Sequence, residues 1–144
     1  MIKVKTRNEK ESRELAGEFA QSLQGGELVC LYGELGAGKT VFASGVINFF
    51  LPHKRVLSPT FIIVRHYYPH KGSTKEIMHI DLYRMENEKE IVASGLPDLL
   101  CDRRKVYLVE WADRLGGLLP AKRIDIQITS QGNERIFRIT GWKR

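Results

Sequence analysis

Residues 33–40 read Gly-Glu-Leu-Gly-Ala-Gly-Lys-Thr and satisfy the phosphate-cradling pattern G-x-x-x-x-G-K-[ST], the P-loop, at each specified position. No other feature narrows the possible folds so far, because such a loop works only between an incoming apolar strand and an outgoing helix. Both are present. Leu28-Val29-Cys30-Leu31-Tyr32 is apolar throughout, as in the centre of a parallel sheet, and Lys39 to Phe50 reads as a helix closed by Pro52. Glycines let successive backbone N–H groups turn inward and form a concave anion nest that side chains would obstruct. The helix N-terminus adds unpaired donors and the positive end of its dipole. Lys39 brings a mobile charge to the β- and γ-phosphates, and Thr40 offers a hydroxyl to Mg²⁺. Nucleotide contacts are therefore assigned to Gly33, Leu35, Gly36, Ala37, Gly38, Lys39, Thr40 and Val41. The guanine-specifying tetrad N-K-x-D does not occur, and the literal D-x-x-G at Asp113 to Gly116 reads as a turn, so ATP is the expected nucleotide.

The remaining chain alternates strands and helices. Ile2 to Thr6 reads as a short strand, and Thr6 with Glu9 has capping-box spacing ahead of a helix that carries Leu15, Ala16, Phe19, Ala20 and Leu23 on one face. Strands are predicted for Phe61 to Tyr68, Glu76 to Leu82 and Val106 to Val109, with a short helix over Glu86 to Ala93. Ile124, Ile126 and Ile128 alternate with polar residues in a half-exposed strand, which the turn Ser130 to Glu134 folds back against Arg135 to Thr140. The expected fold is α/β: one P-loop NTPase-like domain over residues 1–144, three-layered, with a mixed, centrally parallel sheet and an antiparallel C-terminal hairpin. The Gly132 turn of that hairpin is placed beside the adenine.

Composition excludes several classes. At 42% hydrophobic and 28% charged residues the chain reads as a soluble globular protein. It contains no run of about 18 apolar residues that would span a membrane, and MIKVKTRNEKES has no signal-peptide character. Two cysteines without C-x-x-C spacing suit a reducing cytoplasm. The net charge is +6, and residues 101–144 hold 10 basic against 5 acidic side chains, so +5 of it sits in the last third. A concentrated positive field favours nucleic acid or an acidic partner surface.

A metal beside Thr40 needs an acid at the end of a neighbouring apolar strand. Asp81 follows Ile77-Met78-His79-Ile80, and Glu110 follows Val106-Tyr107-Leu108-Val109; position alone does not choose between them. His79 and Trp111 read as packing residues.

Four blocks, in order, resemble the bacterial TsaE (YjeE) family of P-loop ATPases of tRNA threonylcarbamoyladenosine (t6A) synthesis. They are LYGELGAGKTVF at Leu31 to Phe42, LSPTF at Leu57 to Phe61, HIDLYR at His79 to Arg84, and LVEW at Leu108 to Trp111. The resemblance implies Mg²⁺ held by Thr40 and Glu110, with Lys39, Asp81 and Thr60 as the catalytic set: Asp81 the catalytic or water-positioning acid, Thr60 part of a switch-like segment near the γ-phosphate. It further implies an ATPase, weak alone, that serves the partners TsaB and TsaD without itself transferring the threonylcarbamoyl group to adenosine 37 of tRNA. A small-molecule kinase using the same loop, and a nucleic-acid-binding module using the basic C-terminal third, are the alternatives; weak tRNA contact is compatible with the ATPase role.

Overall fold

The computed structural model describes residues 1–59 and 63–144. In chain order its elements are β1 (Ile2–Thr6), α1 (Glu9–Ala20), β2 (Leu28–Tyr32), α2 (Lys39–Phe50), β3 (Val64–Tyr67), β4 (Glu76–Asp81), α3 (Glu88–Ala93), α4 (Leu96–Leu99), β5 (Lys105–Glu110), a 3-10 helix (Ala112–Leu118), β6 (Ile124–Gln131) and β7 (Glu134–Thr140). The strands form one sheet in the order β1-β7-β6-β2-β5-β4-β3. Its centre, β6-β2-β5-β4, is parallel, and β3, β7 and β1 pair antiparallel at the two margins.

The unbroken apolar run of β2 follows from burial on both faces. Val29 and Leu31 point into a core shared with α1 and α2, where they meet Val106, Leu108 and Ile77 of the neighbouring strands. Leu28 and Cys30 point the other way, with Met78, Ile80, Tyr107 and Val109, into a second core roofed by α3, α4 and the 3-10 helix. Burial, aided by nearby Asp125, pushes the Cys30 thiol up to about 12, as suits an inert packing residue. Aromatic rings tie the first core together: Phe19 of α1 lies 5.6 Å from Phe42 of α2 and 5.4 Å from Trp142, and Phe42 lies 5.5 Å from Phe137 of β7.

Local chemistry differs from the sequence reading in a few places. The α1 cap is Asn8, whose side chain accepts from Glu11 N at 2.9 Å, while Thr6 is buried and its hydroxyl meets that of Ser12 at 2.7 Å. Glu11 reaches back past the cap to accept from Arg7 N at 2.8 Å, so the cap lies two residues beyond the one anticipated. Helix α4 and the 3-10 helix are too short to leave a periodic signature, and Asp113 to Gly116 lies within the latter. The strand anticipated from Phe61 is described from Val64; Thr60, Phe61 and Ile62 lie outside the described residues. No helix among the described residues is long and apolar enough to cross a membrane.

Helices α1 and α2 pack closely because Gly45 has no side chain: a Cβ there would stand 2.6 Å from the Ala16 Cβ and 3.2 Å from Arg13 backbone. Gly45→Ala sets about 1 kcal/mol of helix propensity against about 1–3 kcal/mol of overpacking. The net expectation is a loss of stability, measured as a lower midpoint in urea at unchanged slope; a raised midpoint would show that the helices separate easily.

Candidate active site

The site lies at the carboxyl ends of the parallel strands, the edge at which open α/β sheets bind ligands. Strand register builds it. Leu31 of β2 pairs with Glu110 of β5, and Glu110 pairs with Asp81 of β4, so three strands end at one level. Strand β2 then runs through Tyr32 into the glycine loop, and α2 starts at Lys39. Gly33 admits the backbone of β6: a Cβ there would lie 2.6 Å from Ile128 O and 3.0 Å from the Ala37 Cβ. Ala37 is itself buried in the first core. A Cβ on Gly36 would meet nothing within 4 Å, so the loop is anchored at its base and open at its crest.

Lys39 is 4% exposed. Its Nζ donates to Gly33 O at 2.6 Å and Glu34 O at 2.9 Å, and lies 4.1 Å from the centroid of the Trp111 ring, a cation–π contact. Among the described residues no carboxylate lies within ion-pair distance of it. Burial accordingly lowers its pKa, with Glu110 and Asp81 acting in the opposite sense from further away. A buried ammonium served by carbonyls and a π-face lacks the anion that would compensate its desolvation.

Thr40 Oγ1 donates to both oxygens of Glu110, at 2.9 and 3.1 Å. The two residues named together for a metal therefore touch, although 70 positions separate them. Asp81, 4% exposed, lies level with Glu110, and its Oδ1 accepts from Tyr83 N at 2.9 Å. Among the described residues no cluster of three or more His, Cys, Asp or Glu could cage a metal. One hydroxyl and one carboxylate are hard oxygen donors, and that sparse set fits Mg²⁺, which keeps several waters and takes phosphate oxygens for the rest.

A cleft of about 330 Å³ gathers these groups, lined by Leu35, Gly36, Gly38, Lys39, Thr40 and Val41 from the loop and α2, by Asp81 at the end of β4 and Tyr83 after it, by Glu110 at the end of β5 and Trp111 after it, and by Ser58. Gly132 lies at the hairpin turn between β6 and β7; Arg135 links that turn to the loop, donating to Gly132 O at 3.3 Å and to Gly36 O at 3.5 Å. Thr60 lies outside the described residues.

Three further residues come from the fold. His79 is fully buried, with Nε2 2.6 Å from Glu110 Oε2. Trp111 is more than a packing residue. It adopts φ 57°, ψ 40°, a left-handed conformation uncommon outside glycine, and this strain turns its ring onto Lys39 and to 5.1 Å from the Tyr83 ring. Arg135 adds a second cation beside the loop. His79 and Trp111 sit within motif blocks, whereas nothing local marks Arg135.

Comparison with known proteins gives the family. The family model described as "Threonylcarbamoyl adenosine biosynthesis protein TsaE" matches residues 6–137. The chain belongs to the TsaE family. A Rickettsia conorii protein named "tRNA threonylcarbamoyladenosine biosynthesis protein TsaE" is 34% identical over 129 residues, covering 89% of this chain and 71% of that one. The Bacillus subtilis protein of the same name is 35% identical over 133 residues, covering 92% and 80%. The crystal structure of Bacillus subtilis YdiB superimposes with a TM-score of 0.71 at 30% identity, over 94% of this chain and 82% of that one. The fold is thus that of the family, and the family serves t6A formation in tRNA.

If Lys39 is the anion-binding group of this TsaE-family cleft, calorimetric titration with ATP and Mg²⁺ yields binding heat for the wild type and none for Lys39→Ala. Equal affinities would detach Lys39 from the chemistry of the cleft.

Proposed function

We propose that the chain binds and hydrolyses ATP with Mg²⁺ in support of t6A synthesis, acting through TsaB and TsaD and leaving threonylcarbamoyl transfer to them. The observation that carries this reading is the buried Lys39 ammonium at the base of an open glycine loop, with no close carboxylate among the described residues, beside the touching pair Thr40 and Glu110. A polyphosphate supplies the missing anion. Lys39 binds the β- and γ-phosphates, the backbone from Gly33 to Thr40 surrounds them, and Thr40 with Glu110 holds the cation. When bound, Mg²⁺ neutralises charge developing on the phosphate oxygens. Asp81 orients the attacking water; attack at the γ-phosphorus breaks the bond to the bridging oxygen and yields ADP and phosphate. Its position level with Glu110 and its hydrogen bond from Tyr83 N support that role. The reaction takes place in the cytoplasm, where tRNA is modified.

Leu35 is 76% exposed and Tyr83 41% exposed at the mouth of the cleft, so the place a terminal phosphate would occupy opens to water, although Lys39, Asp81 and Glu110 beneath it are buried. Slow turnover is expected of such a site, because water weakens the electrostatic stabilisation of the transition state. Steady-state assays are expected to show hydrolysis far below the typical ~10 s⁻¹ of enzymes for the chain alone and marked stimulation by TsaB with TsaD. Asp81→Ala is expected to keep ATP affinity and lose most of the stimulated rate. Fast turnover by the chain alone, or a wild-type rate in Asp81→Ala, would refute the respective assignment.

A second observation supports tRNA contact at the opposite end of the parallel strands. Arg103 and Lys122, with Arg123, line a hollow of about 570 Å³ beside Gly25 and Gly26. Arg123 is held by Asp125 at 3.0 Å, whereas Arg103 and Lys122 have no ion-pair partner among the described residues. If they meet tRNA phosphates, affinity falls with salt, and replacing both by alanine lowers the slope of log K against log salt by about 2. An unchanged slope would remove this surface from tRNA binding.

A further inference from the structure

We infer that His79 is a positioning residue: it holds the Glu110 carboxylate in the orientation that receives a divalent cation jointly with Thr40. The inference rests on the cleft being a Mg²⁺–nucleotide site and adds the group that makes its acid rigid.

Alternation along β4 and β5 sets the contact. Ile77 of β4, with Val106 and Leu108 of β5, belongs to the core beneath α1 and α2, and the period of two brings His79, Asp81 and Glu110 to that same face. His79 is paired in register with Leu108, one pleat short of the sheet edge where Glu110 stands. Its imidazole is fully buried, and Nε2 approaches Glu110 Oε2 at 2.6 Å. Oε2 also receives Thr40 Oγ1 at 3.1 Å, while Oε1 receives it at 2.9 Å.

The other ring nitrogen decides the tautomer. Among the described residues Nδ1 is buried and has no hydrogen-bond partner. A proton on Nδ1 would leave a buried N–H unsatisfied and strip Nε2 of the hydrogen that Glu110 accepts, so the proton belongs on Nε2. With its proton there, the buried imidazole donates to Glu110 Oε2 and fixes the orientation of the carboxylate. A lysine or arginine in that place would compete with the cation; a leucine would fill the space and leave Oε2 with one donor fewer. Thr40 is itself part of the proposed donor set, so the bond from His79 is the contact to Glu110 that does not depend on what the cleft holds. Donors that hold a metal-binding carboxylate from behind are worth about 10–100-fold in metal affinity.

Three forms of the full chain test it: wild type, His79→Leu, which keeps bulk but not the donor, and His79→Gln, whose amide nitrogen reaches towards the former Nε2 position. Mn²⁺ serves as the probe, its binding in the presence of ADP followed by electron paramagnetic resonance, and ADP affinity in EDTA is measured by calorimetry. His79→Leu is expected to weaken Mn²⁺ about 10–100-fold while ADP affinity without metal stays within about twofold, and His79→Gln is expected to recover most of the loss. Unchanged Mn²⁺ affinity in His79→Leu would overturn the inference. So would an equal loss of metal-free ADP binding, which marks a packing role. Should His79→Leu fail to fold, the ¹⁵N spectrum of the wild-type imidazole still decides: a proton on Nε2 supports the inference and one on Nδ1 alone overturns it. Wild-type protein that takes up neither ADP nor Mn²⁺ would overturn the cleft reading and this inference with it. Normal uptake with an indifferent His79→Leu would overturn the inference alone.

Discussion

The parallel pairing of β2 with β5, and of β5 with β4, is the constraint from which the site follows. It sets Leu31, Glu110 and Asp81 at one level, and the chain leaves that level through the glycine loop into α2. A register slip of one residue would turn every side chain of the slipped strand to the opposite face. Glu110 would then point into the core under α3 and α4, away from Thr40. The apolar runs of β2 and β5 permit burial on both faces, but they do not by themselves resist such a slip. Gly33 against Ile128 O and the Thr40–Glu110 hydrogen bonds add contacts that the native register alone satisfies.

The electrostatics of the cleft follow from burial. Lys39, His79, Asp81 and Glu110 are all withdrawn from water within one end of the sheet, which is costly unless each finds a partner. Glu110 has Thr40 and His79, Asp81 has the backbone at Tyr83, and Lys39 has two carbonyls and an aromatic face. The ammonium is held by neutral acceptors. A charge kept this way is oriented but not neutralised, the condition in which it acts strongly on a charged ligand. The strained backbone of Trp111 belongs to the same economy, since its left-handed turn is what brings the ring over Lys39.

Much of the architecture is legible in the chain because it is encoded over short distances. The runs that became β2 and α2 match the anticipated boundaries, and the alternation of Ile124, Ile126 and Ile128 marks β6 before its hairpin partner β7. Failures occur where the code is too short or has competitors. The spacing of Thr6 and Glu9 predicts a cap at Thr6, but the observed bonds place it at Asn8. The four residues of α4 make little more than one turn, too short for a periodic pattern to show.

The sequence by itself determined the glycine loop, the strand before it and the helix after it, because glycine permissiveness and apolar periodicity act between neighbours. Membership in the TsaE family is legible for the same reason, through blocks of a few residues each. Tertiary structure decided which groups meet those blocks. From residue types alone Asp81 and Glu110 are equal candidates for the partner of Thr40; strand register brings Glu110 to it across 70 positions, and His79 to Glu110 across 31. Arg135 reaches Gly36 only because a hairpin folds back beside the loop. Such contacts depend on the lateral order and register of strands distant in the chain, and no local pattern records either.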